Sequence, residues 1–346
     1  MPTKPSVLVT GGTGFIGSNM AVALIQSGWK VVIIDNLSNS YYEVIERIEE
    51  ITGIRPVFHR IDMRDIQELN SVFQLHRFDA VIHFAALKAV GDSVSQPLLY
   101  YHNNLVSLLN LIQCCEQHKV DRIVFSSSCT VYGQPDSLPV TESSPVRQPA
   151  SPYGNTKKIA EEILRDCALA ENLRVISLRY FNPCGAHESG LLGEFPIGKP
   201  NNLMPLIMQT AAGINPLLEV YGADYNTPDG TCIRDFIHIS DLADAHLKAA
   251  ERLLQNKNQD RFEVFNVGTG VGISVLQMIN AAERITGIKI NYKISARRPG
   301  DIEQIWADTS KAEKVLEWKA KYDLDEMIKT AWKWQQHLLH KKVISR

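Results

Sequence analysis

The sequence predicts an α/β fold: a doubly wound parallel sheet with helices on both faces, followed by a smaller, less regular region. Three observations carry this. Short apolar runs alternate with helical patterns through the first half of the chain, the order that builds parallel sheets by right-handed crossovers. Several of those runs are near-continuous Val, Ile, Leu and Phe, as strands buried on both faces require. A glycine-rich turn joins the first strand to the first helix, at residues 11–17.

The strands are expected at Ser6–Thr10, Lys30–Asp35, Pro56–Arg60, Ala80–Ala85, Arg122–Ser127 and Arg174–Arg179. Helices are expected between them at Phe15–Ser27, Tyr41–Thr52, Asp65–His76, Pro97–His118 and Pro152–Glu171. Beyond Tyr180, Pro and Gly become frequent and the elements shorten. Helices are expected near Leu203–Ala212, Leu242–Gln255 and Ser274–Thr286, with strands near Phe262–Asn266 and Ile288–Ile294. Residues 1–180 thus read as a first domain and 181–346 as a second, with segments near 235–270 returning to the first.

Composition excludes several classes. The 346 residues are 45% hydrophobic and 21% charged, ordinary for a globular chain and unlike a disordered one. The 36 basic and 38 acidic side chains leave a net charge of −2, no electrostatic footprint for nucleic acid or an anionic membrane. The start lacks a signal-peptide pattern, and no run approaches the roughly 20 apolar residues of a membrane span. The six cysteines show neither Cys-x-x-Cys nor zinc-like spacing, so reduced thiols, a cytoplasmic location and no metal are expected.

Gly11, Gly14 and Gly17 leave backbone N–H groups free to approach a pyrophosphate, and Phe15 and Ile16 open a helix whose N-terminus favours anions. A plain strand-to-helix turn is the alternative reading of such glycines. Asp35, ending the second strand 18 residues after Gly17, is placed to accept from an adenosine ribose, with Asn36 beside it. Residues 36–42 hold no Arg or Lys for a 2′-phosphate, so NAD is favoured over NADP.

Ser151 and Pro152 read as N-cap and first residue of a helix that sets Tyr153 and Lys157 one turn apart on one face. A tyrosine acting as a base near neutrality must lose about three units from its reference pKa, about 4 kcal/mol. An ammonium about 5 Å away contributes about 3 kcal/mol at an effective dielectric of 20. Upstream, Ser126, Ser127 and Ser128 end the fifth strand, the first two explicable as strand-end hydrogen bonding. In the second half, Arg234 and Arg298 offer guanidinium forks of the kind that hold a diphosphate, and Asn182 and Asn202 offer amides. Leu203 offers its backbone, Tyr221 a surface for a base, and Asp301 an acceptor for a ribose hydroxyl.

The Gly-x-x-Gly-x-x-Gly spacing resembles the short-chain dehydrogenase/reductase superfamily. Arg179-Tyr-Phe-Asn-Pro183, Pro200-Asn-Asn-Leu-Met-Pro205, the stretch from Gly230 to Asp244 and Arg297-Arg-Pro-Gly-Asp301 are together similar to the UDP-glucose 4-epimerases, over about residues 6–335. The resemblance implies NAD, a UDP-hexose substrate and a homodimer pairing the Pro97–His118 helix with the Tyr153 helix. It implies Tyr153 as base, Ser128 as the group orienting the substrate oxygen, and Lys157 on the nicotinamide ribose, lowering the tyrosine pKa. Asp62, Met63, Phe84, Ala85, Ala86, Lys88, Asn103, Ser126 and Phe181 match its cofactor contacts. Asn182, Asn202, Leu203, Tyr221, Arg234, Arg298 and Asp301 match its uridine and diphosphate contacts. Ile305 stands where bulk in the family is associated with admitting or excluding N-acetylated sugars, leaving UDP-N-acetylhexosamines open as alternative substrates. A 4,6-dehydratase would carry acidic residues after the catalytic Ser/Thr, where Cys129 and Thr130 stand. A non-catalytic NAD-binding sensor would be expected to lack part of the Ser, Tyr and Lys set.

Overall fold

The computed structural model describes residues 4–170, 172–198, 200–298 and 300–341. Glu171, the expected end of one helix, and Pro299, inside one of the motifs, lie outside the described residues. In chain order the first half runs β1 (Ser6–Thr10), α1 (Phe15–Gln26), β2 (Lys30–Asp35), α2 (Glu43–Thr52), β3 (Val57–Arg60) and α3 (Ile66–Leu75). There follow β4 (Ala80–His83), α4 (Val90–Ser95), α5 (Pro97–Gln117), β5 (Arg122–Ser126), a 3₁₀ turn at Cys129–Tyr132, α6 (Pro152–Ala170) and β6 (Arg174–Tyr180).

The second half runs β7 (Asn182–Cys184), α7 (Leu203–Ala211), β8 (Leu218–Tyr221), β9 (Ile233–His238), α8 (Ile239–Leu254) and β10 (Phe262–Val267). It ends with β11 (Gly272–Ser274), α9 (Val275–Thr286), β12 (Tyr292–Ser295), β13 (Gln304–Ile305), a π turn at Ala312–Leu316 and α10 (Leu324–His340).

Seven parallel strands form one sheet in the order β10-β6-β5-β4-β1-β2-β3. The order reverses between β1 and β4, so the loops after these two strands diverge and leave a crevice at their carboxyl ends, where open α/β sheets bind ligands. Alternation along β1 feeds both cores. Val7 and Val9 face α1 and α8 residues such as Leu24, Leu242 and Ala249, while Leu8 faces α3, α5 and α6 residues such as Leu69, Leu108 and Leu164.

β6 leads directly into β7, which leaves the large sheet and pairs with β9 of a second sheet, β11-β9-β13. Between Tyr180 and Asn182 the chain therefore passes from one layer to the next, and Phe181 sits at the junction. A third core of Met204, Ile207, Met208, Met278, Ile279, Met327 and Ile328 joins α7, α9 and α10.

The structure moves several expected boundaries. The fourth strand stops at His83, because Thr10 captures the next groups: its carbonyl accepts from Phe84 N–H (3.1 Å) and its Oγ1 from Ala85 N–H (3.2 Å). The helix expected from Leu242 starts at Ile239, because the His238 imidazole accepts from Ser240 N–H and caps it. The strand expected at Ile288–Ile294 is confined to Tyr292–Ser295. Gly287 ends α9 in a left-handed conformation, and Ile288–Asn291 reach the short pairing with β8 as irregular chain. The helix α10 was not expected at all. No helix among the described residues is long and apolar enough to cross a membrane.

Candidate active site

The glycine turn closes on the start of the segment after β4. Gly11 adopts φ +66°, and a Cβ there would stand 2.8 Å from Ala85 N. A Cβ on Gly17 would stand 2.3 Å from the Gly11 carbonyl oxygen. Side chains are thus excluded from the turn by backbone atoms. Gly14 is the N-cap of α1 and supplies no side-chain cap, and the first turn holds no acidic residue. Phe15 and Ile16 therefore present N–H groups with no side-chain partner over a bare backbone cradle, which suits a dinucleotide pyrophosphate.

Asp35 is at the end of β2 beside this cradle. Its carboxylate accepts from Thr13 N–H (3.3 Å), Leu37 N–H (2.9 Å) and the Ser40 hydroxyl (3.2 Å), which hold it in place. Asn36 donates to Asp62 Oδ2 at 3.3 Å, joining the two loops expected around an adenosine. The Arg64 guanidinium beside Asp62 pulls that carboxyl down to about 2. Met63 is 5% exposed and its side chain belongs to the core, so only its backbone is available to a ligand.

Phe84, Ala85 and Ala86 follow β4 along the crevice. Asn104, one residue past the expected Asn103, holds their continuation: Oδ1 accepts from Leu87 N–H (2.8 Å), and Nδ2 donates to Leu87 O and Thr156 Oγ1 (both 3.0 Å). Asn103 itself donates to Asn104 Oδ1. Neighbouring asparagines on one helix cannot be told apart by pattern; the fold selects the one facing α6 for this tie.

Tyr153, Lys157 and Ser128 gather where β5 meets α6. Ser151 Oγ accepts from Gly154 N–H, so the helix begins as its sequence predicts. Lys157 Nζ donates to the Ser126 carbonyl at 2.6 Å and lies 4.9 Å from the centre of the Phe125 ring. Ser126 Oγ meets the Tyr180 hydroxyl at 2.5 Å. Ser128 Oγ accepts from Thr130 N–H and Oγ1, leaving its proton free for another acceptor.

The expected depression of the Tyr153 phenol is not found in the protein alone. Burial holds it above its ordinary value, Tyr180 raises it further, and the hydrogen bond with Ser128 opposes them. Lys157 is itself enclosed, and burial lowers it to about 7 against the pull of Glu161. Burial disfavours the charged form of Lys157, which makes it a weaker partner for the phenol in the protein alone. Burial likewise pushes Cys129 up to about 12, which leaves that thiol inert.

Glu161, one turn beyond Lys157, was not anticipated. Its carboxylate accepts from Ser127 Oγ (2.6 Å), Ser177 Oγ (2.9 Å) and the Arg179 guanidinium (2.6 Å). The signal was present as a Tyr153–Lys157–Glu161 repeat, which puts a carboxylate on the face that carries the reactive pair.

In the second region, Arg234 donates to the carbonyls of Ile233, Ile302 and Glu303, and its Nη2 is 4.0 Å from Asp301 Oδ1. Arg298 donates to the same Asp301 (2.8 Å) and lies over the Tyr221 ring, 5.7 Å from its centre. These four predicted residues form one cluster. Asn182 opens β7, and Ile305 pairs in register with Arg234 while packing in a buried group with Cys129, Tyr132 and Phe181. Asn202 caps no N–H of α7 with its side chain; it donates instead to Glu194 (2.6 Å), which also binds Lys88 (2.8 Å). Leu203 begins α7 with its side chain packed against the third core. Among the described residues, no group of three or more His, Cys, Asp or Glu side chains is arranged to hold a metal ion.

A dinucleotide cradle at the sheet's reversal, with a Ser, Tyr and Lys set beside it, defines an enzyme of the short-chain dehydrogenase/reductase kind. A family model described as GDP-mannose 4,6 dehydratase matches residues 8–331. The chain is 50% identical to UDP-glucose 4-epimerase 1 of Oryza sativa subsp. japonica, over 95% of this chain and 94% of that one. It is 49% identical to the UDP-glucose 4-epimerase of Bacillus subtilis (strain 168), over 95% and 96%. The crystal structure of UDP-glucose 4-epimerase from Bifidobacterium longum in complex with NAD+ and UDP superimposes with a TM-score of 0.93 at 46% identity, covering 96% of this chain and 98% of that one. The chain belongs to the UDP-glucose 4-epimerase family, within the wider group that the dehydratase model describes.

Proposed function

We propose that the chain interconverts UDP-glucose and UDP-galactose by reversible oxidation at C4′. The observation that carries this reading is that Ile305, paired in register with Arg234, packs in one buried group with Cys129 and Phe181, so the cluster of Arg234, Arg298, Tyr221 and Asp301 adjoins the turn that begins at Ser128. NAD fits the glycine cradle and Asp35, with Asn36, Asp62, Met63, Phe84, Ala85, Ala86, Lys88, Asn103, Ser126 and Phe181 along its length. It supplies a hydride acceptor that gives the hydride back, so net redox is zero.

The chain's own residues do the rest. Tyr153 removes the proton from the 4′-hydroxyl as the carbon is oxidised, and Ser128 donates to that oxygen. Lys157 contributes positive charge beside the phenol and holds a ribose hydroxyl. Arg234, Arg298, Asn182 and Asn202 anchor the diphosphate, and Asp301 the uridine ribose. With the anchor held, the 4-keto sugar turns and is reduced on its other face. Ile305, buried against Cys129 and Phe181, shapes the sugar wall, and comparing UDP-galactose with UDP-N-acetylgalactosamine measures its tolerance.

Neither residue after Ser128 is acidic, which disfavours the elimination of a 4,6-dehydratase. The division of labour follows the fold: residues 1–180 with α8 and β10 hold the cofactor, and the remainder holds the substrate. A cytoplasmic homodimer is the matching assembly, supported by Leu98, Leu99 and Leu109 exposed on α5 and Leu169 on α6. The decisive assay incubates the purified protein with UDP-galactose, without added NAD. Appearance of UDP-glucose supports the reading, and a bound dinucleotide without turnover indicates a sensor instead.

A further inference from the structure

We propose that Glu194 is a placeholder for the substrate diphosphate, holding the Asn202 amide until that anion arrives, while Lys88 pins the carboxylate from the cofactor side. Its side chain is 10% exposed, and one oxygen, Oε1, accepts from both Lys88 Nζ (2.8 Å) and Asn202 Nδ2 (2.6 Å). Lys88 comes from the cofactor side of the crevice. Asn202 stands at the start of the substrate helix α7, whose first-turn N–H groups have no side-chain cap. An amide at an open helix N-terminus suits an anion, and the anion that the amide now meets belongs to the protein itself. A ligand phosphate must take the Asn202 amide from the carboxylate.

The surroundings suit a side chain that moves on a fixed backbone. The Glu194 carbonyl accepts from Trp334 Nε1 (3.2 Å), and the next residue, Phe195, packs its ring 4.7 Å from that of Tyr41. Glu194 also borders a cavity of about 470 Å³ between α7 and α10, which gives the displaced carboxylate room. Gln335 lines the same cavity, and its enclosed Nε2 has no hydrogen-bond partner.

The proposal rests on the reading of the chain as a UDP-sugar epimerase, and it explains why such an enzyme would keep a carboxylate there. Substrate and product carry the same diphosphate, so tighter anchoring strengthens both complexes and adds nothing to the chemical step. A resident competitor weakens both equally and keeps product release fast.

Glu194→Gln keeps the shape and removes the charge. In the holoenzyme it is expected to bind UDP roughly three- to tenfold more tightly by calorimetry, the scale of removing one screened like charge. KM for UDP-galactose falls with it, and kcat falls as release slows. Glu194→Asp, which keeps the charge but withdraws it, gives a smaller tightening and guards against a folding defect in the first variant. Unchanged or weaker UDP binding in both variants, or a raised KM, overturns the placeholder. Failure of the wild type to epimerise UDP-galactose would instead overturn the activity on which it rests.

Discussion

Glu161 and Arg179 form an ion pair inside the protein, Oε2 to Nη2 at 2.6 Å, with each side chain 3% exposed. Burying two charges is costly unless their remaining hydrogen bonds are met. Here they are: Ser127 and Ser177 donate to Glu161, and Arg179 donates to Tyr132, whose hydroxyl donates to Asn266. The network ties α6 to β5, β6 and β10. Glu161→Ala leaves a buried guanidinium uncompensated and is expected to destabilise the fold by about 3–5 kcal/mol. Urea unfolding measures this, and a loss under about 1 kcal/mol would show that the pair contributes little.

Tyr153→Phe removes the proton acceptor and almost nothing else, since the ring is buried. Turnover of UDP-galactose should fall by about 10²–10⁴-fold. UDP affinity, read by calorimetry, should stay within a factor of about two. Near-normal turnover sinks the assignment of the base.

Lys157 couples stability to pH. Its folded-state pKa is lowered to about 7 from 10.5, so between these values the unfolded chain binds a proton that the folded chain has released. Stability from this group therefore rises with pH across that window. Below about pH 7 both states are protonated and the full penalty of burying the ammonium remains. Lys157→Met should be inactive yet raise Tm at pH 6.5 by about 1–4 °C, with a smaller gain at pH 9.5. A lower Tm at both pH values would mean that the lysine's contacts, not its burial, dominate.

Gly17→Ala places a methyl group against the Gly11 carbonyl, a backbone atom that cannot turn aside. The cradle must open. The purified variant is expected to lose most of its bound dinucleotide, measured from the absorbance of the acid-released cofactor, and to epimerise only with added NAD. Retention of cofactor at the wild-type level would contradict the cradle's role.

Leu98 and Leu109 are 80% and 50% exposed on α5. If this face pairs two chains, the wild type sediments at twice its 38.8 kDa at micromolar concentration, and a Leu98→Glu, Leu109→Glu double variant sediments as a monomer. A wild-type monomer rules the pairing out.

The nucleotide-binding layer is legible because most of its strands are near-continuous apolar runs of four to seven residues separated by helices of ordinary length, and because a glycine turn needs no distant partner to be recognised. The second region was read less well for a physical reason. β7, β11 and β13 are two or three residues long, too short for alternation to show. α10 differs, for Met327, Ile328, Ala331, Trp334 and Leu338 recur at helical spacing after an Asp323 cap, a pattern the sequence does carry. In the site, Glu161 was visible as a continuation of the Tyr153 and Lys157 spacing. Glu194 was not, because it meets Lys88 across 106 residues and no local pattern records such a meeting.

One feature of the large sheet bears on how the chain is made. The strand β6 ends at Tyr180, yet its outer neighbour β10 begins only at Phe262. While the polypeptide emerges from the ribosome, β6 presents an open row of N–H and C=O groups until that later strand has been synthesised. Between the two lie β7, β8, β9, α7 and α8. A nascent chain stalled before Val267 thus carries an unprotected sheet edge and is the stage most exposed to wrong pairing, so chaperone engagement is expected to concentrate there.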